Sequence, residues 1–251
     1  MLTDNTFFRV AITDIGVDVM AKRTYFVTTS KPPFFEEKAI EFPYASGFAI
    51  TQFQKSINNM HAAIRVMEGD KKILEVSTKS NNALGVQMSA FSLVFTKEKY
   101  RVENVFQASK KFKLGGPYRE LLYATPSEAK RSELLRNSGD LVSFVDLAEN
   151  VWPLNPTTAY YDWIYITAAR ECLIQRPELQ EELLAYSLFT DIVFNHEKSK
   201  NCQARSLAMM IGMIYSRTLE YYMDNRDRFL SLYNQRAKHQ SKQISMFDPH
   251  N

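Results

Sequence analysis

Cysteine is nearly missing from this chain: Cys172 and Cys202 are the only two in 251 residues. Two thiols cannot build a disulfide framework, and left unframed they fit a reducing cytoplasm. Histidine is scarce too. His61, His196, His239 and His250 are scattered, with no HExxH-like pair and no Cys/His cluster at ligand spacing, so neither a metal nor a cofactor is expected. No apolar run approaches the roughly eighteen residues a membrane helix needs, and no charged-then-apolar leader opens the chain. Strong charge of one sign is also lacking. A net charge of +3 permits contact with nucleic acid but falls short of the footprint of a dedicated binder. A protein that contacts nucleic acid only briefly needs no more.

What is there reads as one domain of ordinary globular balance, 45% hydrophobic and 24% charged. Residues 1–19 precede a second methionine in Met20-Ala-Lys-Arg23 and read as an N-terminal extension, residues 20–237 as the domain, and residues 238–251 as a polar tail. Thr24–Thr29 reads as a strand stopped by Pro32-Pro33. Phe53, Ile57, Met60, Ile64 and Met67 predict a helix over 50–67. Strands are expected at Lys72–Val76, Phe91–Phe95 and Phe189–Phe194. Helices are expected at 101–113, 117–122, 126–137, 157–175, 178–187 and 201–223, two of them opening on Pro126 and Pro177. The expected fold is therefore α+β and predominantly α-helical, with a few short strands.

Arg101–Phe112 carries the most chemistry. On one helix Glu103, Gln107 and Lys110 fall at i, i+4 and i+7 and share a face, while Val102, Val105, Phe106 and Phe112 dock on the core. A carboxyl, an amide and an amine in line suit a site that recognises a hydroxyl, moves a proton and offers a nucleophile. The same spacing also describes the solvated face of any amphipathic helix. Elsewhere, Asn201 is either a helix N-cap or an anion contact at the start of the last long helix, with Gln203 in its first turn and Lys198 and Lys200 upstream. Arg205 is a minor candidate there. Lys79-Ser80 lies in a polar loop open to a phosphate, and Tyr118 follows a Gly115-Gly116-Pro117 loop. Asp162 either holds a ribose or pairs with Arg170.

Val102-Glu103 through Gln107-Ala108 with Lys110 resembles the VExxxQAxK core of the NADAR (YbiA-like) family, and Pro126-Ser-Glu-Ala-Lys-Arg131 resembles the helix start that follows it. Longer strings are similar to the NADAR antitoxins encoded beside DarT toxins. These are Ile73–Ser80, Leu84-Gly85, Ser89-Ala-Phe91, Gly115–Tyr118, Trp152-Pro-Leu154, Ala159–Tyr165 and Phe194-Asn195 with Lys198–Ala204. The Phe-Ser-Asn-Phe stretch and Trp-Gly loop of many stand-alone members are replaced here by Ser89-Ala-Phe-Ser92 and Phe194-Asn-His-Glu197.

The resemblance implies a single NADAR domain and an antitoxin hydrolase that removes ADP-ribose from the guanine base of DNA. Its partners would be ADP-ribosylated DNA as substrate, ADP-ribose as product and a DarT-like toxin. Glu103 and Lys110 would be catalytic. Glu103 would take a proton from a ribose hydroxyl or stabilise charge at the anomeric carbon. Lys110 would protonate the departing amine or attack the opened sugar as a neutral amine, its pKa lowered by burial or by a cation such as Lys111. Gln107, Trp152, Asn201, Gln203, Lys79, Ser80, Tyr118 and Asp162 would contact ADP-ribose. The alternatives are a non-catalytic ADP-ribose- or toxin-binding module and an N-glycosidase of riboflavin-pathway-like nucleotides.

Overall fold

The structure, a computed structural model, describes residues 19–196 and 199–233. Most of the expected extension, the whole tail and Lys198 lie outside the described residues. A ten-residue hairpin opens the fold, β1 (Val19–Thr28) against β2 (Phe35–Tyr44), in unbroken antiparallel register from Val19↔Tyr44 to Thr28↔Phe35. Pro32-Pro33 sits in its turn. The helix α1 (Ile50–Glu68) follows and turns Ile57, Met60 and Ile64 inward. Next come β3 (Ile73–Glu75) and β7 (Leu188–Thr190), which pair in parallel, with β7 antiparallel to β1; the sheet order is β2-β1-β7-β3.

Between β3 and β7 the chain supplies the helical layer and a second small sheet. The short α2 (Ala83–Gln87) and α3 (Val102–Ala108) precede β4 (Lys110–Phe112). A 3-10 turn at Arg119–Tyr123 leads to α4 (Pro126–Arg131) and α5 (Glu133–Arg136). β5 (Leu141–Val145) and β6 (Val151–Trp152) complete the sheet β4-β5-β6. Then α6 (Ala159–Gln175), α7 (Pro177–Leu184), α8 (Gln203–Tyr215) and α9 (Leu219–Met223) close the molecule. Every residue of α8 from Ala204 to Met213 is buried. A Cβ on Gly212 would strike the Thr29 and Phe34 carbonyls, so the glycine lets α8 lie directly on the hairpin.

The expectation of a predominantly helical chain is overturned. The described residues are 46% helical and 18% strand with two small sheets, a mixed α+β fold. The missed strands have two causes. β2 is a charged edge strand, Phe-Glu-Glu-Lys-Ala-Ile-Glu-Phe-Pro-Tyr, whose alternation is masked by consecutive acids. β4, β5 and β6 are two to five residues long, too short for a pattern to register. Phe91–Phe95, expected as a strand, is a turn joined to Arg101 by one bridge at Val94.

Candidate active site

α3 ends two residues before the lysine it was expected to carry. Ser109 is its C-cap, and Lys110 opens β4 instead. The three groups still meet. Gln107 Nε2 donates to Glu103 Oε1 at 2.8 Å, and Lys110 Nζ donates to Gln107 Oε1 at 2.6 Å. Glu103 and Gln107 are buried, 5% and 3% exposed, so the amide is fixed between acid and amine with no freedom to turn. The Lys110 ammonium also lies 4.9 Å from the Phe106 ring centre. Burial pulls its pKa down to about 8, against the pull of Glu103, and the Lys130 charge lowers it further. The expected cation, Lys111, points away and donates to the Gly116 carbonyl at 2.6 Å. Alternation along β4 separates the two lysines. Lys130 comes from α4, whose first turn is fixed by a capping box between Thr125 and Glu128.

Backbone ties hold this line in place. Glu103 N–H donates to the Ala90 carbonyl at 3.0 Å, and Ala90 N–H donates to Gln203 Oε1 at 2.7 Å. Gln203 Nε2 in turn donates to Asp191 Oδ2 at 2.9 Å. Asp191 and Glu75 stand just beyond and at the carboxyl ends of the parallel strands β7 and β3, both buried and mutually repelling. Each carboxyl is pushed above its usual range, chiefly by burial. Ser77 Oγ, Thr190 Oγ1 and Ile192 N–H all donate to Glu75, and Thr190 is also bonded to His61 Nε2 at 2.8 Å. The Tyr161 hydroxyl, raised by burial and then by Glu103, faces the same centre. Sequence reading missed Glu75, Asp191 and Lys130 as site groups. The available signal was an acid inside an otherwise apolar strand, Ile-Leu-Glu-Val and Phe-Thr-Asp-Ile.

The remaining sequence candidates fall elsewhere. Trp152, expected to line the pocket, is 1% exposed on β6, packs on Tyr160 and Trp163 and donates to Asp146; it is core. Asp162 pairs with neither a free pocket nor Arg170. Its two oxygens accept from Arg205 at 2.8 Å, Ser206 at 2.5 Å and Tyr233 at 2.5 Å, while Arg170 pairs with Glu220. That occupies the Asp162 carboxyl and buries Arg205. Tyr118 bonds Ser138 through its hydroxyl. Lys79 lies over the Phe53 ring at 5.1 Å, and Ser80 Oγ accepts from Asn82 N–H. Asn201 is not the N-cap of α8, a place taken by Cys202; its Oδ1 is buried with no hydrogen-bond partner among the described residues. Its chain neighbours Ser199 and Lys200 line a cavity of about 430 Å³, together with Glu37, Asn155, Thr157 and His196 among others. Among the described residues no cluster of metal-ligating side chains occurs, and no helix is long and apolar enough to cross a membrane.

A buried carboxyl, amide and low-pKa amine in one hydrogen-bonded line, backed by a second acid pair, define a mixed α+β protein with the equipment for acid–base and amine chemistry. A family model described as DarT1-associated NADAR antitoxin matches residues 21–243. The chain belongs to that family. The search of curated proteins returns no match.

Proposed function

We propose that this antitoxin is an N-glycosidase that releases ADP-ribose from the guanine base of DNA, reversing the modification made by a DarT-type toxin. One observation carries the reading: Lys110, held by Gln107 against Glu103, has its pKa lowered to about 8. About a tenth of such a lysine is neutral amine at pH 7, far more than of an ordinary lysine. Pure binding of ADP-ribose needs hydrogen bonds but no amine of this kind.

The chemistry runs in balanced steps. The bond between the anomeric carbon and the ring oxygen opens, the ring oxygen takes a proton, and the carbon is left double-bonded to the exocyclic nitrogen of guanine. Neutral Lys110 adds to that carbon, the guanine amine takes a proton and leaves, and a lysine Schiff base remains. Water hydrolyses it to ADP-ribose and free lysine. Glu103 carries the protons, while Gln107 holds both groups in register. Lys200 on the wall of the 430 Å³ cavity, next in the chain to the buried Asn201 amide oxygen, supports placing the nucleotide portion of ADP-ribose there. Gln203 positions Glu103 through Ala90.

The purified protein is incubated with an oligonucleotide ADP-ribosylated on guanine, with and without borohydride. The expected results are free ADP-ribose and restored guanine, and under borohydride a stable ADP-ribose adduct on the Lys110 peptide. Release without an adduct, lost in Lys110→Arg, would assign Lys110 as a proton donor, because an arginine in its place keeps its proton. Absence of release alongside tight ADP-ribose binding would make the protein a binding module.

A further inference from the structure

A second cavity, of about 270 Å³, is lined in part by Ser92 and Leu93, in the turn that supports Glu103. We propose that this cavity, lined by Ser92, Thr96, Lys99, Gln175 and Arg176, is a subsite for the nucleotide flanking the modified guanine. The inference rests on the reading that the ADP-ribose is carried by a nucleic acid strand.

Position supports it first. The Ser89–Leu93 turn is closed by Ser92 N–H and Leu93 N–H donating to the Ser89 carbonyl at 2.9 and 2.8 Å, and by Ser89 Oγ donating to Ser92 Oγ at 3.1 Å. Its second residue, Ala90, accepts from Glu103 N–H, and Ser92 and Leu93 at its far end line the cavity. Two residues span at most about 7 Å, so the Ser92 edge of the cavity lies within about that distance of Ala90, whose carbonyl holds the Glu103 N–H at the start of α3.

Chemistry supports it next. Lys99 and Arg176 bring two cations to the rim, and among the described lining residues none is acidic. Glu171 accepts the Thr96 N–H at 2.8 Å and is not itself among the lining residues. Arg176 is aimed rather than loose: its guanidinium donates to Gln87 Oε1 at 2.8 Å and to Cys172 Sγ at 3.0 Å. Of its five donors about three remain for a phosphate. Leu93, Val94 and Cys172 give an apolar wall for a sugar or base, and Ser92, Thr96 and Gln175 supply hydrogen bonds.

Two substrates separate this site from the reacting centre: a single-stranded heptanucleotide with a central ADP-ribosylated guanine, and ADP-ribosyl-guanosine alone. The double variant Lys99→Glu, Arg176→Gln is expected to raise KM for the heptanucleotide about tenfold with kcat within twofold, to leave the nucleoside unaffected, and to lower the salt slope by about one. An unchanged KM for the heptanucleotide, or an equal rise on the nucleoside, would overturn the subsite. A 5-iodouracil next to the guanine gives a readout that needs no turnover. Cross-links to residues 92–99 or 172–176 of the wild type support the subsite, and cross-links confined elsewhere refute it. Failure of the glycosidase reading shows differently, as no ADP-ribose released by wild type from either substrate.

Discussion

At the scale of single residues, the low pKa of Lys110 sets the pH behaviour. If the neutral amine attacks, single-turnover release should rise about tenfold per pH unit and level off above about pH 8. Stopped assays from pH 6 to 9.5 check this; a rate that falls through pH 8 would mean that the ammonium is the working form. Glu75 offers a separate test. Its carboxyl is raised by burial and by Asp191, so the native state holds its proton at pH values where the unfolded chain has lost it. Stability contributed by this group therefore falls as pH rises from the ordinary carboxylate range toward neutrality. Glu75→Gln keeps oxygen acceptors for Ser77 and Ile192, and lets the Thr190 hydroxyl turn toward His61. The variant should be more stable than wild type at pH 8 by roughly 1–3 kcal/mol, a gain that vanishes near pH 4.5. Urea titrations at both pH values measure it. His61, held neutral by burial, is common to both proteins and cancels in the comparison.

At the scale of elements, the Asp162 cluster ties α6 to α8 and to the helical residues 226–233 that carry Tyr233. Removing one member leaves a buried Arg205 charge uncompensated. Asp162→Ala should cost about 3–5 kcal/mol in urea unfolding, while Lys110→Ala leaves the midpoint nearly unchanged. Long elements with strong punctuation were legible in the sequence. The helix expected over 50–67 is Ile50–Glu68, and Pro126 and Pro177 open α4 and α7 as read. The helix expected from 101 to 113 was too long, because nothing local marks Ser109 as its end. Tertiary pairing of Lys110–Phe112 with β5 stops it there. Glu103, Gln107 and Lys110 were read together as one helix face; that ground holds for the first two, whereas Lys110 joins the line from β4. Trp152 was misplaced because a lone tryptophan beside proline reads as loop, whereas Tyr160 and Trp163 draw it into the core. Glu75 and Asp191 are far apart in sequence, and only strand pairing brings them together.

At the scale of the whole molecule, β1 starts at Val19, so a chain begun at Met20 keeps every hairpin pair except Val19↔Tyr44. Val19 is 59% exposed and contributes little packing. A chain started at Met20 should therefore still form the β1–β2 hairpin, which a thermal scan can check. The parallel pairing of β3 with β7 has a further effect, on timing. Glu75 waits for Asp191 and Gln203, and the centre is incomplete until that stretch has left the ribosome. At translation speeds of roughly 5–20 residues per second, the interval is on the order of ten seconds. During it a nascent chain holds the lysine but not its supports, so any activity of this centre should begin only once α8 has been made and vanish in any fragment ending before it.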